Sequence, residues 1–224
     1  MKHFSIAIDG PAGAGKSTIA KKIAKELNFI YVDTGAMYRA MALYFIRNNI
    51  DASDKEKIKN NINLVDISIE YIDGEQQIFL NGENVSRLIR TEEVGKMASA
   101  VSVYPDVRLK LVELQRSLAS KANVVMDGRD IGTYVLPNAD LKIYLTASTK
   151  ERARRRFLEL QEKGIMADID VIEKDIIDRD YRDMNRDFAP LKQAEDAIVV
   201  DSTDMTIDEV KDTIIQYFKK IINN

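Results

Sequence analysis

The sequence predicts an α/β fold built on a five-stranded parallel sheet flanked by helices. Three observations predict it. Short apolar runs recur along the chain and end at turn residues such as Asp, Gly or Pro. Helical periodicity follows the first run at once, as a crossover between parallel strands requires. One stretch after the second run changes to alternation broken by Asp-Gly and Asn-Gly, so a small antiparallel insertion interrupts the parallel pattern. At 224 residues the chain can bury the core of one such domain.

The elements follow in order. Phe4-Ser5-Ile6-Ala7-Ile8 reads as a buried strand ending at Asp9-Gly10-Pro11. From Lys16, residues Ile19, Ala20, Ile23, Ala24 and Leu27 fall at three- and four-residue spacing, which makes a helix with one apolar stripe. Phe29-Ile30-Tyr31-Val32 is the second strand, closed by Asp33-Thr34-Gly35. The next helix carries Met37, Met41, Leu43, Tyr44 and Phe45 on or near its buried side. Ser53-Asp54-Lys55-Glu56 has capping-box spacing, with Ser53 as the cap of a further helix. About residues 64–90 form the β insertion: Ile67, Ile69 and Tyr71 alternate with polar residues, and Asp73-Gly74 and Asn81-Gly82 supply the turns. Helices are expected over about 91–103 and 106–120, separated by Pro105. Val124-Val125-Met126, Leu141-Lys142-Ile143-Tyr144-Leu145 and Ala197-Ile198-Val199-Val200 complete the sheet. Ser148 with Glu151 opens an Arg-rich helix ending near Gly164, another helix spans about 170–185, and Thr206 with Glu209 caps the last. The expected organisation is a single domain over residues 1–224, with its core in 1–63 and 120–224.

Composition removes several function classes. Lys and Arg total 33 against 36 Asp and Glu, a net charge of -3, which disfavours a global nucleic-acid surface. There is no Cys and one His, His3, so disulfides, a Cys/His zinc site and Cys nucleophiles are excluded, and a Ser/His/Asp triad would have only His3 to use. Neither a signal peptide nor a run of about 18 apolar residues is visible. The expectation is a soluble, cytoplasmic protein without membrane or nucleic-acid partners.

Gly10-Pro11-Ala12-Gly13-Ala14-Gly15-Lys16-Ser17 matches G-x-x-x-x-G-K-[ST] in full, between a predicted strand and a predicted helix. Glycines let backbone N–H groups turn inward around phosphate oxygens, and the helix N-terminus adds donors and a favourable dipole. Lys16 reaches the β- and γ-phosphates, and the Ser17 hydroxyl suits Mg²⁺. This predicts a P-loop NTPase-type core that uses ATP or GTP. Asp127, with the Walker-B pattern, and Asp33 both follow strand ends; either would hold Mg²⁺ through water, the alternative being a cap on the local turn. No Asn-Lys-x-Asp motif for reading guanine occurs.

A small-molecule kinase also needs cations for the phosphates of both substrates, and Arg grips phosphate bidentately. Arg39 follows Asp33-Thr34-Gly35, Arg108 follows Pro105, and Arg129 stands in Asp127-Gly128-Arg129-Asp130 at a strand end, where open α/β sheets place ligands. Arg152, Arg154, Arg155 and Arg156 crowd one turn. Arg179, Asp183 and Arg186 share one helix face. Read on residues alone, two alternatives stay open: a kinase for another small molecule, such as UMP, AMP or a metabolite hydroxyl, and a non-catalytic nucleotide-responsive module. The paired positions Arg39 and Arg129 argue against the second, which needs no acceptor-phosphate site.

The chain resembles the bacterial cytidylate kinase family over nearly its full length. The resemblance is carried by Ile8 to Ser17, by Asp33-Thr34-Gly35-Ala36-Met37-Tyr38-Arg39, by Asp127-Gly128-Arg129-Asp130-Ile131-Gly132-Thr133 and by Arg179-Asp180-Tyr181-Arg182-Asp183-Met184-Asn185-Arg186. It implies transfer of the ATP γ-phosphoryl group to CMP or dCMP with Mg²⁺, in pyrimidine nucleotide metabolism. It implies a mobile acceptor-binding region, about residues 64–103, a short helical lid, about 152–170, and a monomer. By the resemblance, ATP lies on Gly10, Pro11, Ala12, Gly13, Ala14, Gly15, Lys16, Ser17 and Thr18, with Arg155 as a lid arginine near its adenine or phosphates. Thr34, Tyr38 and Arg39 serve the acceptor, Arg39 on its phosphate. Ser99 and Arg108 face cytosine, Arg129 binds the acceptor phosphate, Asp130 and Asp183 hold the sugar with Arg179 close by, and Arg186 reads the cytosine side or nearby phosphates. Lys16, Arg129, Arg155 and Arg186 are thereby the expected catalytic cations. From the residues alone, Asp130 and Asp183 have an alternative as ion-pair partners of Arg129 or Arg179, Tyr38 as core packing and Ser99 as a surface serine.

Overall fold

The computed structural model describes residues 3–72 and 74–223. Five strands form the main sheet: β1 (Ser5–Asp9), β2 (Ile30–Asp33), β6 (Val124–Gly128), β7 (Leu141–Thr146) and β8 (Ile198–Asp201). Their order is β2-β6-β1-β7-β8, and β1 runs parallel to both β6 and β7. Ile8 pairs with Asp127 on one side and Ile143 on the other. The central β1 is therefore buried on both faces, which is why its sequence is an unbroken apolar run rather than an alternation.

The chain divides into two compact units, with the division inside β2. The first unit holds the residues up to Tyr31 and those from Lys121 onward. Its core joins Ile6 and Ile8 of β1 with Ile19, Ala20 and Ile23 of α1 (Lys16–Leu27), Ile143 and Leu145 of β7, and Ile214 and Phe218 of α8 (Ile207–Ile222). Phe218 also meets Phe4 and Phe29 edge to face. The Arg-rich α6 (Thr149–Glu162) and α7 (Ile169–Asn185) pack on each other through Ala153, Ile172 and Ile176.

The second unit, Val32–Ser120, contains α2 (Thr34–Arg47), α3 (Lys55–Asn61), the β insertion, α4 (Glu92–Val101) and α5 (Pro105–Ala119). The insertion is a three-stranded antiparallel sheet of β3 (Ile67–Ile72), β4 (Glu75–Leu80) and β5 (Glu83–Asn84). Asn81 and Gly82 both have positive φ, 49° and 83°, as a type I′ turn requires between the paired Leu80 and Glu83. In the other turn Gly74 has φ 78°, while Asp73 lies outside the described residues.

Local chemistry sets the element ends, with some departures from the sequence expectation. Ser53 does not cap α3. Asp54 does, accepting from Lys57 N, while the Ser53 hydroxyl turns back to Asp51 at 2.6 Å. Ser148 caps α6 by accepting from Glu151 N, but the Glu151 carboxylate turns to Arg154 and Arg155 instead of closing the box. Thr206 and Glu209 form the full reciprocal box on α8. Pro105 is not a spacer; it is the first residue of α5, where its missing N–H has no helical partner to lose. Among the described residues no helix is long and apolar enough to cross a membrane.

Candidate active site

The phosphate cradle joins β1 to α1, and its glycines are required one by one. Gly10 has φ 148°, and a Cβ there would lie 1.9 Å from the Leu145 carbonyl oxygen. Gly13 and Gly15 have φ of 76° and 86°, left-handed conformations that a side chain would strain. Pro11, Ala12 and Ala14 are buried, whereas Ser17 and Thr18 are exposed at the start of α1. Lys16 is buried and donates to the Pro11 carbonyl at 2.6 Å. Burial, and then Arg129, draw its pKa well below the usual lysine value, so a nearby anion will be strongly favoured. The Ser17 hydroxyl donates to Asp127 Oδ2 at 2.9 Å, and Tyr31 donates to Asp127 Oδ1 at 2.8 Å.

Asp9 closes β1 with a buried carboxylate. Its two oxygens accept from Ile131 N and Gly132 N, at 2.8 and 2.7 Å. Those residues open a one-turn π-helix, Ile131–Val135, directly after Gly128-Arg129-Asp130. Asp9 thereby fixes the backbone that presents Arg129 and Asp130.

Around Asp183 the first unit gathers several arginines. Arg129 Nε donates to Asp183 Oδ2 at 2.8 Å, and Arg186 lies 3.9 Å from Asp183 Oδ1. Arg186 also reaches Asp130 Oδ1 at 3.4 Å and donates to the Ala189 carbonyl. Burial opposes the charge on Asp183, yet Arg129, Arg179 and Arg186 outweigh it and hold the carboxyl below its ordinary value. Burial likewise opposes Arg129, and Asp183 reverses the balance. Arg179 is exposed on α7. Arg155 donates to Glu151 at 2.9 Å and to the Ser202 hydroxyl and carbonyl at 3.1 and 2.6 Å.

In the second unit Asp33 caps α2 by accepting from Ala36 N. Its carboxylate also takes Arg39 and Arg90, at 3.3 and 3.1 Å, and its N–H donates to Gln76 of β4. Both Asp33 oxygens are thus engaged. Thr34 is buried at the first position of α2. The Arg108 guanidinium, almost fully buried, lies over the Tyr38 ring at 5.3 Å and donates to the Ser102 carbonyl at 3.2 Å. Ser99 is half-buried on α4, and its carbonyl accepts from the Ser102 hydroxyl.

Sequence reasoning overlooked several residues that hold these groups in place. By sequence Asp9 ends a strand beside the glycine motif, Tyr31 fills a strand, and Gln76 and Arg90 fall within the insertion. A charged residue ending an apolar run beside a glycine turn was the available signal for Asp9. Arg152, which the sequence places in the Arg152–Arg156 cluster at the start of the expected lid, is buried and pairs with Asp180 at 2.5 Å.

Fold and cradle together define a P-loop phosphotransferase: an open parallel sheet, a glycine-bounded anion site with its lysine at the head of the first helix, and a Ser–Asp pair beside it. The chain belongs to the cytidylate kinase family, whose model matches residues 6–220. It is 53% identical to the cytidylate kinase of Caldicellulosiruptor bescii over 224 residues, 100% of this chain and 99% of that one. It is also 53% identical to the cytidylate kinase of Lactobacillus johnsonii, over 97% of this chain and 94% of that one. A solved gluconokinase from Sinorhizobium meliloti superposes with a TM-score of 0.50 over 99% of this chain and 97% of that one; at 13% identity it shows the shared fold alone. The protein is an enzyme of this family, with ATP as the phosphoryl donor.

Proposed function

We propose that the enzyme transfers the γ-phosphoryl group of ATP to CMP or dCMP, giving CDP or dCDP, and that the residues assigned above divide the work. Gly10 to Thr18 are the donor cradle, Thr34, Tyr38 and Arg39 serve the acceptor, and Ser99 and Arg108 serve cytosine. Arg129, Asp130, Arg179, Asp183 and Arg186 complete the acceptor set. The observation that carries the reading is the arginine group around Asp183 in the unit that also holds Lys16. A nucleotide switch needs one phosphate site, whereas a phosphotransferase needs cations for two.

The chemistry asks little covalent help of the protein. The attacking group is a phosphate oxygen, and a phosphate monoester with its second pKa near 6 is already mostly ionised at neutral pH. No general base is required. Catalysis rests on in-line positioning and on fixed positive charge where charge develops. Lys16 exchanges the Pro11 carbonyl for the β- and γ-phosphate oxygens. Arg129 and Arg186, held by Asp183 and Asp130, are oriented before the acceptor arrives, so little reorganisation is left for the reaction itself. Arg155 leaves Ser202 for the donor phosphates when the lid closes. Ser17 and Asp127, both hard oxygen donors, would hold Mg²⁺, which would supply charge neutralisation for the donor phosphates. Asp33, committed to its cap and two guanidiniums, is the weaker candidate for that role.

A coupled ADP-release assay across CMP, dCMP, UMP, AMP and GMP tests the reading. CMP and dCMP are expected to be used well above the rest. Equal turnover of UMP and CMP overturns the base specificity, and no turnover with any acceptor overturns phosphoryl transfer.

A further inference from the structure

We propose that Arg152 and Asp180 act as a positioning pair that orients two successive peptide groups of the phosphate cradle, and through one of them the Lys16 ammonium. Both backbone groups of Ala12 are held by this pair. Its N–H donates to Asp180 Oδ1 at 3.0 Å, and its carbonyl accepts from Arg152 Nη1 at 2.8 Å. The same Nη1 meets Asp180 Oδ2 at 2.5 Å. Arg152 Nε donates to the Ala147 carbonyl at 3.0 Å and Nη2 to Thr149 Oγ1 at 3.1 Å, so all three guanidinium nitrogens are fixed. The two residues are 6% and 7% exposed, and the Arg152 guanidinium is fully engaged by protein partners. The turn of α6 that carries Arg152 also touches the cradle, since a Cβ on Gly13 would lie 3.2 Å from the Arg152 Cβ.

The consequence follows from peptide planarity. In a trans peptide the C=O and the following N–H point in opposite directions. Holding the Ala12 carbonyl toward Arg152 turns the Gly13 N–H away from it. Holding the Ala12 N–H toward Asp180 turns the Pro11 carbonyl the other way, where it accepts the Lys16 ammonium at 2.6 Å. A glycine-rich loop has little internal resistance to flipping these peptides. The clamp supplies that resistance from α6 and α7. Stability alone does not call for an ion pair here, because apolar residues of similar volume often replace a buried pair at no loss.

That contrast gives the test, which rests on the cradle being the ATP site. The double variant Arg152→Met/Asp180→Val removes both charges at close to the original combined volume. It is expected to melt close to the wild type but to lose about 10²-fold in kcat/KM for ATP, the scale of a misplacement of about 1 Å, while KM for CMP moves by less than about threefold. Arg152→Lys, which keeps one donor for the Ala12 carbonyl, is expected to recover part of the loss. A folded double variant with wild-type ATP kinetics overturns the proposal. So does a fall in both substrates' constants that merely tracks loss of folded protein, in the double variant or in the milder Asp180→Asn. Phosphorylation of CMP by the wild type in the same assay secures the underlying reading, so these failures count against the clamp alone.

Discussion

Asp9 illustrates how a single residue is shaped by what surrounds it. Burial pushes its carboxyl up to about 7, against the opposing pull of the Gly132 and Ile131 N–H groups, with Asp130 adding to the rise. The folded chain therefore holds this proton more tightly than the unfolded chain, whose value is near 3.8. The contribution of Asp9 to stability is full below about pH 4 and declines as pH rises through about 7, by at most about 4 kcal/mol. Asp9→Asn does not titrate and turns an amide donor toward one of the two backbone donors. Thermal unfolding from pH 4.5 to 7.5 should show the wild type more stable than Asp9→Asn at the acid end, with the gap narrowing toward neutrality. A gap that widens with pH refutes the account. The motif residues themselves were legible at this scale, because Gly10, Gly13, Gly15, Lys16 and Ser17 are dictated by local backbone and phosphate chemistry. The partners were not: nothing near Asp9 in sequence announces the Ile131 and Gly132 amides, more than a hundred residues away.

At the scale of elements, α3 shows where local rules compete. Ser53 and Asp54 are both acceptable caps, and Ser53 has a Glu three residues on. The chain entering from Asp51 decides: Asp54 N donates to the Asp51 carbonyl and the Ser53 hydroxyl is drawn to the Asp51 carboxylate, leaving Asp54 at the helix start. Asp54→Ala should therefore cost about 1 kcal/mol in urea unfolding and Ser53→Ala less than half of that. The reverse order would restore Ser53 as the cap. The β insertion was readable because Asn81-Gly82 has the two residues a type I′ turn demands. The capping box at Thr206 forms in full, whereas at Ser148 the guanidiniums of Arg154 and Arg155 draw Glu151 away from the cap.

For the whole molecule, net charge proved too coarse a description. A chain with a net charge of -3 still concentrates Lys16, Arg129, Arg179 and Arg186 within one unit, with Asp183 and Asp130 paired among them. The lid proposed for residues 152–170 belongs to this scale as well. The base of α6 is fixed by Arg152, but the far end of α6 and the turn beyond it are exposed; Gly164 has φ 70° there and Met166 is fully exposed. Amide exchange across residues 152–170 should slow when an ATP analogue and CMP bind together, with the largest gain beyond about residue 156. Identical exchange with and without both nucleotides argues against closure.

The sequence by itself determined the sheet class, the phosphate cradle, the antiparallel insertion and the family, because each is written in contiguous residues whose conformation is set by neighbours a few positions away. Only the tertiary structure decided which charges face one another. Arg152 left the arginine cluster of α6 to pair with Asp180, Asp33 took Arg90 as well as Arg39, and Asp183 became the partner of Arg129. An ion pair depends on where side chains meet after the chain has folded, and a buried charge is tolerated only where such a partner waits.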